Sequence, residues 1–126
     1  MTEGEEALGN ALDRSVLDSL RELQDDGDPD IVAELGGLFL EHSPQRVEAI
    51  LQAVKNRDAN GLKTAAHSLK SSSAYVGAMR LSEMSRELEM MGHSQVLDGA
   101  EEKAERLKRE FKRVMMELEA EIKRSN

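Results

Sequence analysis

His67 stands in the run Ala65-Ala66-His67-Ser68-Leu69-Lys70-Ser71-Ser72-Ser73, an imidazole with a lysine one helical turn later and small side chains around it. Imidazole is a nucleophile near neutral pH, and an ammonium beside it suits an anionic group such as a phosphoryl. Apolar or small residues at 62, 66, 69, 73 and 76 define one face of a helix. At 100° per residue, His67 points roughly 140° from the centre of that face. The spacing therefore predicts a solvent-side histidine rather than a core one. Lys63, Lys70, Ser71 and Ala74 fall on the same outward side. This strip offers two cations to an anion and little bulk to obstruct a large partner.

The charge pattern agrees with an anionic target. The chain of 126 residues has a net charge of −8, and residues 1–30 hold ten acids against two bases, so the whole excess lies at the N-terminal end. Between Ala59 and Ser82 there is no acid, while Lys63, Lys70 and Arg80 are present. A locally basic helix in an acidic protein argues against nucleic acid and for a small anionic group. His42 and His93 have no second ligand one turn away, so surface or helix-end roles are expected of them, and no metal site. Ser72 and Ser73 read as small residues that let helices approach closely.

The elements that must position His67 are helical. One Tyr, two Phe and no Trp, against abundant Leu, Ala, Met, Glu, Lys and Arg, disfavour a sheet. Residues 1–11 read as an acidic flexible tail and 12–126 as one domain. Leu12, Val16, Leu17, Leu20 and Leu23 recur at helical spacing, ended by Asp25-Asp26-Gly27. Asp28 is the expected N-cap of the next helix with Pro29 at its first position, and Ser43-Pro44 the expected kink within it. Asp58 caps the helix that carries His67, and Gly77 allows the chain to reverse after it. Leu81, Met84, Leu88 and Met91 mark a fourth main segment, closed by Gly92-His93-Ser94. Leu97 through Ile122 carry a long threes-and-fours repeat whose charges form its solvated face, and Met84, Met90, Met91, Met115 and Met116 read as core and edge filler. Amphipathic helices joined by short loops predict an all-α protein, an antiparallel four-helix bundle with a short additional N-terminal helix. No cysteine and no apolar run long enough to span a bilayer point to a cytoplasmic protein without membrane association.

The run Ala66-His67-Ser68-Leu69-Lys70-Ser71-Ser72-Ser73-Ala74-Tyr75-Val76-Gly77-Ala78 resembles the signature of histidine-containing phosphotransfer (HPt) domains, often written AHxLKGSSxxxGA. Leu38-Phe39-Leu40, Pro44, Arg46-Val47 and the Asp58 turn resemble the preceding helix of that family, and Leu81 with Glu87-Leu88-Glu89 the following one. The likeness extends over roughly residues 12–122. It implies a four-helix bundle in which His67 accepts a phosphoryl group from a receiver-domain aspartate and passes it to another receiver. It also implies that Lys70 steadies the phosphate. Ser71 replaces the usual glycine and is expected to preserve access while adding a hydroxyl that helps Lys70 steady the phosphate. Glu89 falls where several members place a glutamine that supports the histidine, and a carboxylate there could favour a charged imidazole or repel phosphate.

The resemblance implies a phosphocarrier in a two-component phosphorelay rather than an enzyme. The expected partners are response-regulator receivers or a hybrid sensor histidine kinase. Magnesium would come from the receiver, with no cofactor held by this chain, and a monomer is expected. Leu38, Phe39 and the first helix are candidates for the docking surface. An autophosphorylating kinase region would usually follow the histidine with an acidic base, and here Ser68 occupies that place. A non-catalytic helical adaptor is the alternative, favoured only by the regular seam of the last helix.

Overall fold

The computed structural model describes residues 10–125, with side chains to Arg124. Among the described residues five helices follow in order: α1 Arg14–Glu22, α2 Ile31–Lys55, α3 Ala59–Tyr75, α4 Met79–Ser94 and α5 Ala100–Ser125. There is no strand among the described residues. The long helices form a ring in which α3 packs on α2 and α4, and α5 on α4 and α2, while α1 lies against α2. The α3–α4 pairing is the most extensive and carries the site described below.

The apolar stripes meet inside this ring. Leu62, Ala66, Leu69 and Ser73 of α3 are fully buried, with Ile50 of α2, Leu81 and Leu88 of α4, and Leu107, Val114 and Leu118 of α5. Each buried leucine contributes about 1.5–3 kcal/mol by leaving water, so this shared core outweighs the weak intrinsic preference of any one helix. The repeat of α5 is thus consumed within its own bundle. Phe39, expected on the docking surface, belongs to the core too: its ring centroid lies 6.1 Å from that of Phe111. Leu38, the next residue round the helix, is the exposed one.

Helix ends explain where the chain turns. Asp13, Asp30 and Asp58 cap α1, α2 and α3 by accepting hydrogen bonds from backbone N–H groups of the first turn. The α2 cap is therefore Asp30, not Asp28. The Asp28 carboxylate instead accepts from Asp25 N–H, and Gln24 Oε1 accepts from Ile31 N–H, which leaves Pro29 outside the helix. α2 runs unbroken through Pro44 to Lys55. α4 ends within the expected Gly92-His93-Ser94 segment, at Ser94, and is capped by Gln95 in the left-handed region, φ 63°. Leu97 lies in the turn before α5.

The polar face of α5 is only partly solvated. Glu110 and Glu121 are buried, in contrast to the expected solvent-facing charges. Glu121 takes Arg14, Arg21 and Arg124, and Glu110 takes Arg113 at 2.7 Å. Glu117 accepts hydrogen bonds from the backbone N–H of Ala11 (2.8 Å) and of Leu12 (3.1 Å). Ala11 is buried, so the ordered fold includes the last residue of the expected tail, while residues 1–9 lie outside the described residues. Asn10, Glu117 and Arg124 line one groove. Met84, Met91 and Met115 fill the core edge as expected, but Met90 and Met116 are exposed.

Candidate functional site

His67 occupies the middle of α3 with its side chain 62% exposed. The residues at 62, 66, 69, 73 and 76 are all buried beneath it, so the helical phase read from the sequence holds. Its Nδ1 lies 2.7 Å from Glu89 Oε2 on α4. The other oxygen of the same carboxylate lies 2.7 Å from Lys70 Nζ. One carboxylate therefore ties the histidine to the lysine, drawing together three side chains from two helices.

This arrangement defines the chemistry available to the ring. With Nδ1–H donating to a carboxylate, the imidazole lone pair sits on Nε2, the nitrogen farther from Glu89. A fixed tautomer with its nucleophilic nitrogen turned outward suits attack on an electrophile brought by a partner. Burial pushes the Glu89 carboxyl up, but the hydrogen bonds it accepts from Lys70 and His67 outweigh this and hold it below the ordinary carboxylate range. Glu89 is thus an anion throughout the physiological range.

The remaining expected residues divide. Ser71 and Lys63 are exposed on α3, one turn after and one turn before His67, and Ala74 is half-buried beyond Lys70. These positions keep the approach to the ring low in bulk. Gly77 contributes differently: it has φ 80°, its carbonyl accepts from Asp13 N–H at 2.7 Å, and a Cβ there would lie 2.8 Å from Asp13 O. Gly77 therefore secures α1 to the α3–α4 turn rather than touching the imidazole. His42 lines a groove between α2 and α3 with Arg46, Asp58 and Ser68, and His93 lies exposed near the end of α4.

Three features of the site have no signal in the local sequence. Lys70 meets Glu89 rather than open solvent, so the cation intended for an anion already has a partner. Ser82 Oγ donates to the Lys70 carbonyl at 2.9 Å, binding the start of α4 to the middle of α3. Gly92 lets the far end of α4 lie directly on the backbone of α3 at Ala59 and Lys63. Together these contacts set the distance between Glu89 and His67.

Comparison with known proteins agrees with this architecture. The chain is 31% identical to the histidine-containing phosphotransfer protein B of Pseudomonas aeruginosa PAO1, whose crystal structure superposes with a TM-score of 0.81 over 92% of this chain and 97% of that one. It is 28% identical over 117 residues to the pseudo histidine-containing phosphotransfer protein 2 of Oryza sativa subsp. japonica, covering 88% of this chain and 78% of that protein. It is 38% identical over 65 residues to the histidine-containing phosphotransfer protein 5 of Arabidopsis thaliana, or 49% of this chain and 41% of that protein. Residues 34–122, from the first turn of α2 to the last turns of α5, match the Hpt domain model, and with the four-helix ring and the exposed histidine on it the chain belongs to the Hpt domain family.

Proposed function

We propose that His67 is the phosphoryl acceptor of this phosphorelay histidine phosphotransfer protein, taking the group from a receiver-domain aspartyl phosphate and giving it to a second receiver. The observation that carries the reading is the pairing of His67 Nδ1 with Glu89, which leaves Nε2 as the outward lone pair on an accessible helix face. In the forward step Nε2 attacks phosphorus in line. The bond between phosphorus and the aspartyl oxygen breaks, and its electron pair leaves with the carboxylate. Lys70 flanks the ring to meet the phosphoryl charge, and Ser71 keeps the approach open while offering a hydroxyl. Lys63 and Ala74 shape the surrounding face, Glu89 orients the ring, and Gly77 secures the helix end.

The protein serves as a carrier. Response-regulator receivers and hybrid sensor kinases are the partners proposed, with the receiver supplying magnesium and the acids that hold it. We place the module in the cytoplasm as a monomer without nucleic-acid or membrane binding. No helix among the described residues is long and apolar enough to cross a membrane. The experiment is transfer from a phosphorylated receiver. The wild-type chain should gain acid-labile, alkali-stable label, and His67→Gln should gain none. Label retained by His67→Gln, or mapped to His42 or His93, would show that the acceptor lies elsewhere. Label gained from ATP alone would make the protein a kinase, and no label at all would leave the adaptor reading.

A further inference from the structure

The carboxylate at position 89 has a different consequence after phosphoryl transfer than before it. Neutral imidazole has one ring proton and one lone pair. When the Nε2 lone pair forms the bond to phosphorus, the ring becomes an imidazolium until the Nδ1 proton departs. Glu89 Oε2, 2.7 Å from Nδ1, accepts a hydrogen bond from that proton. If the proton left, a bare Nδ1 lone pair would face a carboxylate oxygen with no hydrogen between them. An amide at this position would have no such preference, because its oxygen can accept from N–H and its NH2 can donate to bare nitrogen.

We propose that Glu89 keeps the phosphohistidine in its Nδ1-protonated form, making this protein a fast relay with a short-lived phosphoryl group rather than a store. The inference rests on His67 being the acceptor. In onward transfer a receiver carboxylate oxygen bonds to phosphorus, the P–Nε2 bond breaks, and its electron pair returns to Nε2. Because the proton is already on Nδ1, the leaving group is neutral imidazole. From the unprotonated form it would be the anionic imidazolate, a far poorer one.

The surrounding charges leave this task to Glu89. On α3 Lys63 lies one turn before the ring and Lys70 one turn after it, and from α4 the ring meets Glu89, which is itself within electrostatic reach of Arg86. On the α2 side His42 and Arg46 line the groove that reaches Ser68. The cations oppose a protonated ring, and among the described residues Glu89 is the acid that touches it. Lys70 draws on the other oxygen of the same carboxylate, so it moderates the effect. Glu89 is a positioning residue, acting on phosphorus only through the ring.

The test uses the full chain phosphorylated with potassium phosphoramidate, a donor whose P–N bond breaks to release ammonia and requires no receiver. The titration midpoint of the phosphohistidine is followed by 31P and 15N NMR, with its half-life measured across pH. Glu89→Gln, isosteric at a largely but not fully buried position, should lower the midpoint by about one unit and lengthen the half-life about tenfold on the alkaline side, the factor a one-unit shift gives. Lys70→Gln should move the midpoint upward, because the carboxylate then serves the ring alone. Label on His67 with an unmoved midpoint in Glu89→Gln, or both variants shifting together, would overturn the inference while leaving the acceptor intact. If the wild-type chain takes no label on His67, the acceptor assignment fails and this inference fails with it.

Discussion

Gly92 on α4 lies so close to Lys63 on α3 that a Cβ at position 92 would stand 2.7 Å from the Lys63 amide nitrogen and 2.6 Å from the Ala59 carbonyl oxygen. These are backbone atoms, which cannot rotate away as a side chain can. Gly92→Ala should therefore force the helices apart. The overpacking costs about 1–3 kcal/mol, and the gain of about 1 kcal/mol from replacing glycine within a helix only partly offsets it. Gly37 is the control, because it is helical and has nothing within 4 Å of its would-be Cβ. Gly37→Ala should stabilise by about 0.5–1 kcal/mol. Urea unfolding checks both, and equal effects of the two changes would remove the close approach from the account.

Lys70 faces a choice between Glu89 and an incoming phosphoryl. A partly exposed ammonium contact is worth about 0.5–1.5 kcal/mol, so Lys70→Ala should slow transfer roughly three- to tenfold. The fold should survive, because Lys70 is 30% exposed and its loss leaves Glu89 with His67. Rapid-quench transfer from a phosphorylated receiver is the measurement. An unchanged rate would take the lysine out of the mechanism.

Ser71 follows His67 by one turn on the exposed face, and bulk there would stand in the path of a docking receiver. Ser71→Gly should keep transfer at a helix cost of about 0.5 kcal/mol. Ser71→Gln should keep its melting temperature and lose at least about tenfold in receiver-dependent phosphorylation, as expected when a reacting centre is held out of reach. Normal transfer by Ser71→Gln would mean that the receiver approaches from another side.

Acid should weaken the attachment of α1. Burial pushes the Glu121 carboxyl up, but its hydrogen bonds from Arg21 and Arg14 outweigh this and hold it below the ordinary value of 4.5. A carboxyl lowered by folding contributes its full stability above that ordinary value and loses it as pH falls through the lower, folded one. Glu89, also lowered, adds to the same slope. Thermal unfolding from pH 7 to 3 should fall most steeply below about 4.5. Glu121→Gln should be about 1–2 kcal/mol less stable at pH 7, with a shallower acid limb. An equally steep limb in that variant would exclude Glu121 as its cause.

Periodicity was enough to phase α3, since the same five positions that define its apolar face are buried and His67 points away from them. The choice between Asp28 and Asp30 as the cap was not legible. Both are acids before a helix, and the decision rests on Gln24 reaching Ile31 seven residues on. Phe39 and Leu38 show a related limit: both are apolar neighbours, and only the arrival of Phe111 from α5 settles which is inside. Glu89 was placed near the site by likeness alone. Its pairing with Lys70 depends on how closely α4 lies on α3, which Gly92 and Ser82 determine through contacts between helices.

The groove shared by Asn10 and Arg124 has a practical consequence for protein engineering. Asn10 and Arg124, near the two ends of the described chain, border the same groove, so a flexible link between them would not need to cross the bundle. New ends could then be opened at Gly99, which has φ 83°, open space around it and a place in the exposed turn before α5. Such a circular permutant would leave α3 and α4 continuous. The same adjacency suits the module to insertion within a surface loop of another protein, with its histidine still presented outward.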